Sequence, residues 1–147
     1  MKTGTWRVLA AVATAAGLAA AVAAAAMGGC DACAATTSTG ACVPMTCHWT
    51  MRAAVLLEAL AAVATAGLAF VRCKAGRRWL AAVGFLAQAS VLAAFYTPLM
   101  GLCGNAQMHC HATATVCTAL AAVAMIACVV AAVQADPDKA DLPKRGL

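Results

Sequence analysis

The sequence predicts an all-α integral membrane protein, a four-helix transmembrane bundle built from two pseudo-repeated hairpins. Three observations predict it. Hydrophobic residues make up 65% of the chain and charged residues only 10%, against about 25% charged in a soluble domain, so most of the surface has to face lipid. Four stretches carrying at most one charge each are long enough to cross about 30 Å of hydrocarbon. The pattern M-x-C-H-x-T occurs twice, with its cysteines, Cys47 and Cys110, 63 residues apart.

At 147 residues the chain is one domain by length. The first apolar stretch, 8–27, is uncharged and about a full span. It also has the layout of a cleaved signal peptide: a basic segment with Lys2 and Arg7, an apolar run, and A-x-A sites near Ala23 to Ala26. The expectation is that it stays as the first helix, because it is longer than the usual signal core and the repeat needs it. The second stretch, 53–71, is interrupted only by Glu58, and the third and fourth, 79–100 and 112–133, are uncharged. All four are rich in Ala, so their periodicity is weak, but small side chains let helices pack closely. A compact up-and-down bundle follows.

The connections orient it. Lys2 and Arg7, then Arg72, Lys74, Arg77 and Arg78 of the 72–78 loop, then Lys139, Lys144 and Arg145 of the 134–147 tail, fall on one side. The 28–52 and 101–111 loops hold only Arg52. Nine basic residues against one place both termini in the cytoplasm of a multi-pass cell-membrane protein, with the two long loops outside. Trp79 at one interface, and Trp49 and Tyr96 near the other, fit aromatic belts. The tail, with Asp136, Pro137, Asp138, Asp141 and Pro143, reads as a short disordered end. The +5 formal charge therefore records topology and not a nucleic-acid partner. The first partner is the lipid bilayer. No Gly-rich phosphate loop, basic stripe with interleaved aromatics or Ser/His/Asp order of the hydrolase kind stands out.

Both outer loops end alike, in Met45-Thr46-Cys47-His48-Trp49-Thr50 and Met108-His109-Cys110-His111-Ala112-Thr113. Each pattern follows another cysteine, Cys42 or Cys103. The chain thus reads as two hairpins of the same sense about an axis along the membrane normal. Thr50 and Thr113 are suited to N-cap the helices that follow. Cys47, His48, Cys110 and His111 are candidate metal ligands. With Met they are soft ligands that suit copper as Cu(I), or zinc where four converge in a tetrahedron.

A structural reading stands beside this. Cys30, Cys33, Cys42, Cys47, Cys103 and Cys110 lie in the outer loops, where thiols tend to pair, and six cysteines allow 15 connectivities. Staples within each loop, or thiol redox chemistry, would account for the same residues. Cys30-Asp31-Ala32-Cys33 has the C-x-x-C spacing of thiol–disulfide oxidoreductases, but no His adjoins it. Cys117 and Cys128 lie in the fourth helix as small hydrophobes, Cys73 is cytoplasmic, and His109 reads as a solvated loop residue. Met45 and Met108, which could be ligands, more simply pack.

Glu58 is the remaining singular residue, about two turns or roughly 10 Å inside the second helix. An ionisable group there is expensive and marks function by default. The alternative is that it stays protonated or hydrogen-bonds within the bundle, with Tyr96, Ser90 or Gln88 of the third helix as partners.

These residues carry a resemblance. Met45-Thr46-Cys47-His48-Trp49-Thr50, Pro98-Leu99-Met100-Gly101-Leu102-Cys103 and Met108-His109-Cys110-His111 resemble domain-of-unknown-function family 4418, small four-helix membrane proteins. The resemblance implies the fold, a cysteine ahead of the first C-H-x-T (here Cys42), and an association with ABC-type export permeases. It implies no activity.

The leading reading is non-enzymatic. The outer Cys/His loops form a disulfide-stabilised or metal-binding site, accessory to an export transporter. Two other readings stay open. One is a membrane thiol–disulfide oxidoreductase passing electrons to quinone, for which no quinone motif is present. The other is a proton-coupled small transporter using Glu58, in which four helices need a homo-oligomer to line a path.

Overall fold

The computed structural model describes residues 5–27, 33–44, 46–98, 100–102 and 109–134. Four long helices carry the fold: α1 (Thr5–Met27), α2 (Thr46–Phe70), α3 (Lys74–Tyr96) and α4 (His109–Gln134). Each contains a window long and apolar enough to cross a membrane. All four begin upstream of the apolar stretch that announced them. Backbone hydrogen bonding continues through polar residues that a hydropathy reading leaves out, such as Cys47, His48, Arg77 and Arg78.

Side-chain size sorts inside from outside. The buried apolar positions are mostly Ala, among them Ala20, Ala54, Ala121 and Ala124, while Leu18, Val22, Leu56, Val63, Phe70, Leu86 and Ile126 are exposed. A protein folding in water would bury those large side chains. In lipid nothing is gained by hiding them, and helix association relies on close packing of small residues. The inverted pattern is that of a multi-pass membrane protein.

The helices pack in a ring. α1 and α3 each lie against both α2 and α4, which face each other across the diagonal. On α1 the inner face is Ala10, Ala13, Ala16, Gly17, Ala20 and Ala24, spaced three and four apart as one side of a helix requires. A Cβ on Gly17 would sit 3.5 Å from Ala62 and from the Glu58 carbonyl, so α1 rests almost directly on the α2 backbone. The Thr14 and Thr65 hydroxyls, 3.1 Å apart, tie the same two helices together.

One end of the bundle carries the repeated motifs and the other the basic residues. At the motif end, β1 (Cys33–Thr36) pairs antiparallel with β2 (Cys42–Pro44), with Thr36 opposite Cys42. Thr37 and Ala41 close the turn by a 2.9 Å backbone hydrogen bond, and Gly40, at φ +80°, takes the left-handed conformation it needs. This hairpin lies within the 28–52 segment, which reads from the sequence only as a loop. At the basic end the guanidiniums of Arg7 and Arg77 stand 5.3 and 5.0 Å from the centre of the Trp6 ring, joining the starts of α1 and α3. The 135–147 tail lies outside the described residues.

Candidate functional site

The two motifs take the same helical positions. Cys47 and Cys110 are the second residues of α2 and α4, and Thr50 and Thr113 the fifth. The N-cap role expected of the threonines does not hold, because both helices start four residues earlier. Each hydroxyl donates instead to the carbonyl four residues back, Thr46 at 3.2 Å and His109 at 3.0 Å, the other local bond open to a helical Thr. Both threonines are fully buried. The single hydrogen of Thr50 is shared with the carbonyl of Gly101, the closer acceptor at 2.9 Å.

Gly101 is where α3 hands over to the next segment. Pro98 disfavours helix at the residue before it, and α3 ends at Tyr96. Gly101, at φ +71°, then turns its N–H back onto the Ala94 carbonyl at 3.1 Å, leaving its own carbonyl for Thr50.

Cys47 is 1% exposed and Cys110 0%. They belong to one contiguous buried cluster with Met51 and Ala54 of α2, Ala20 and Ala24 of α1, Val91 and Phe95 of α3, and Cys117 of α4. The histidines are less buried than the cysteines. His48 is half-buried with its ring edge-on to Trp49. It lines a groove of about 460 Å³ between α1 and α2, with Ala24, Ala25, Met51, Arg52, Val55 and Leu56. His111 is half-buried, and His109, the first residue of α4, is exposed.

Among the described residues no disulfide is formed, and no three His, Cys, Asp or Glu side chains converge as a metal cluster. Cys47 is a free thiol, as are Cys117 and Cys128 in the core and Cys73 at the surface. Cys30, Cys103, Met45 and Met108 lie outside the described residues. Cys33 and Cys42 are described only as backbone of the β hairpin, so the C-x-x-C and the cysteines ahead of each motif add no contact to this picture.

Glu58 lies deeper than the sequence suggested. It is the thirteenth of the 25 residues of α2, about 18 Å from the helix start at 1.5 Å per residue, at the middle of the span. It is 0% exposed. Of its three candidate partners, the one that reaches it is Gln88, also 0% exposed, whose Nε2 donates to Glu58 Oε2 at 2.7 Å. Tyr96 bonds Thr118 at 2.9 Å, and Ser90 donates to the Leu86 carbonyl of its own helix. Glu58 Oε1 and Gln88 Oε1 have no hydrogen-bond partner among the described residues. Cys117 comes within electrostatic reach of Glu58 from α4, while its Sγ–H points to the Ala20 carbonyl, 3.6 Å away.

Sequence reasoning missed three of these contacts: Thr14 with Thr65, Cys117 with Ala20, and Trp6 between two arginines. A polar residue recurring inside an apolar stretch was the available signal for the first two.

No curated protein and no solved structure matches the chain. A family model described as a domain of unknown function (DUF4418) matches residues 15–135, from the middle of α1 through the end of α4. With four membrane-length helices and that match over most of its length, the chain belongs to the DUF4418 family of membrane proteins of unassigned activity.

Proposed function

We propose that the protein presents a two-thiol site at the outer face of the membrane, formed by Cys47 and Cys110, that holds a soft metal ion. The observation that carries this reading is the burial of both cysteines, at equivalent positions of α2 and α4, in a single cluster at one end of the bundle. Two thiolates on one ion suit Cu(I). Zinc asks for two further ligands, for which His48, His111, Cys42 and Cys103 are the candidates. The free thiol of Cys47 favours a ligand role over a staple to Cys42. An ABC-type export permease receiving the ion is the partner this reading carries over from the family resemblance.

Metal analysis and thiol counting on the detergent-solubilised protein, before and after reduction, test the proposal. Bound copper with thiols that become titratable only when the metal is stripped is the expected result. Inert disulfides at Cys47 and Cys110 would leave a staple. Disulfides that exchange with a bound quinone would make the protein an oxidoreductase.

The burial of Glu58 at mid-span favours a second reading, proton-coupled transport. It is separable, because Glu58→Gln would abolish it and leave metal binding intact.

A further inference from the structure

Glu58 and Gln88 meet head to head between α2 and α3, with one hydrogen bond of 2.7 Å and no exposure of either residue. The oxygens left over are Glu58 Oε1 and Gln88 Oε1, and both are orphans among the described residues. Buried polar atoms without partners are rare in folded proteins, and two on one pair of head groups form a matched deficit. Each is an acceptor that lacks a donor. One hydrogen satisfies both if it is covalently held by one oxygen and donated to the other.

An ionised Glu58 has no hydrogen to give. It would also leave a negative charge at mid-span with one of its oxygens unsatisfied, the costliest kind of buried group. No described cation offsets it. The helices packed around it present Gly17 from α1, Gln88 from α3 and the Cys117 thiol from α4. A carboxylic acid and a carboxamide are both planar, and each offers one donor and one acceptor on its outer edge. Joined edge to edge they close a ring of two hydrogen bonds, and the bond already present is half of it.

We infer that Glu58 and Gln88 form a single-proton binding site at the centre of the bundle, the proton resting on Glu58 Oε1 and donated to Gln88 Oε1. The site is independent of the thiols at the motif end. It makes the α2–α3 contact depend on a bound proton: with it the ring is closed, and without it two acceptors and a charge face each other. Gln88 is half of the site and not a bystander in the core.

Infrared spectroscopy of the full-length protein in phosphatidylcholine vesicles at neutral pH tests this. The wild type should show the carbonyl band of a protonated carboxyl, at the low frequency of a hydrogen-bonded acid. Glu58→Gln should lose the band and keep the wild-type thermal midpoint, because two amides close the same ring. Gln88→Leu should keep the band and move it to higher frequency. Should Gln88→Leu fail to fold, the frequency of the wild-type band still separates a paired acid from a free one. A wild-type spectrum without a protonated-acid band overturns the site, as does a band that Glu58→Gln retains or one at the position of an unpaired acid.

Discussion

Thr50 of α2 donates a 2.9 Å hydrogen bond to the carbonyl of Gly101, 51 residues along the chain. The bond fastens the beginning of α2 to the segment that follows α3, so the two halves of the sequence meet at the motif end through a buried side chain. It requires Thr inside the first turns of α2, where Thr50 sits, and Gly101 in a left-handed conformation that frees the carbonyl.

Replacing Thr50 by Val removes the donor and keeps the volume, leaving the Gly101 carbonyl short of a partner. Hydrogen bonds between membrane helices contribute about 0.6 kcal/mol on average and up to about 1.7. Thr50→Val should therefore lower the unfolding free energy in detergent by about 1 kcal/mol, while Thr50→Ser stays near wild type. Denaturant titration followed by circular dichroism measures both.

The two glycines inside the bundle should respond differently to the same substitution. A Cβ on Gly17 meets its nearest neighbours at 3.5 Å, ordinary contact, whereas one on Gly84 would stand 2.9 Å from Thr65 Cγ2 and 3.3 Å from Cys128 Sγ. Gly17→Ala should be neutral or slightly stabilising, since it also lowers the entropy of the unfolded chain. Gly84→Ala should cost about 1–3 kcal/mol, as overpacking does. Thermal midpoints of the two variants side by side decide it.

Cys73 offers a native probe of orientation. It is an exposed free thiol between α2 and α3, among the basic residues, whereas the other thiols with described side chains are buried. The orientation that the basic residues predict, with their end in the cytoplasm, requires a membrane-impermeant maleimide to label Cys73 in inside-out vesicles and leave it unlabelled in intact cells. Labelling in intact cells would reverse the topology.

Composition made the four helices legible, because alanine and valine at this density with so few charges leave no alternative to lipid. Their packing was not legible. In Ala-rich helices the buried and exposed positions differ mainly in size, and hydropathy registers that difference weakly. Partner choice at Glu58 shows the same limit. Gln88 and Ser90 lie two residues apart on α3, so the rotation of α3 against α2 decides between them, while Tyr96 ends α3 about 12 Å further along the helix. The motif threonines misled for a related reason. A Thr ahead of an apolar run reads as a cap, yet the same hydroxyl bonds equally well to a carbonyl one turn back, and the helix start beneath Cys47 and Cys110 carries no hydropathy signal. The β hairpin was hidden because its strands are only four and three residues long.

The claim that Cys47 and Cys110 act as one site is tested most directly by Cu(I) titration of the wild type against Cys47→Ser and Cys110→Ser, under reducing conditions in detergent. A shared site predicts one tightly bound ion per wild-type chain and loss of that ion in either single variant. Undiminished tight binding in both single variants would contradict it.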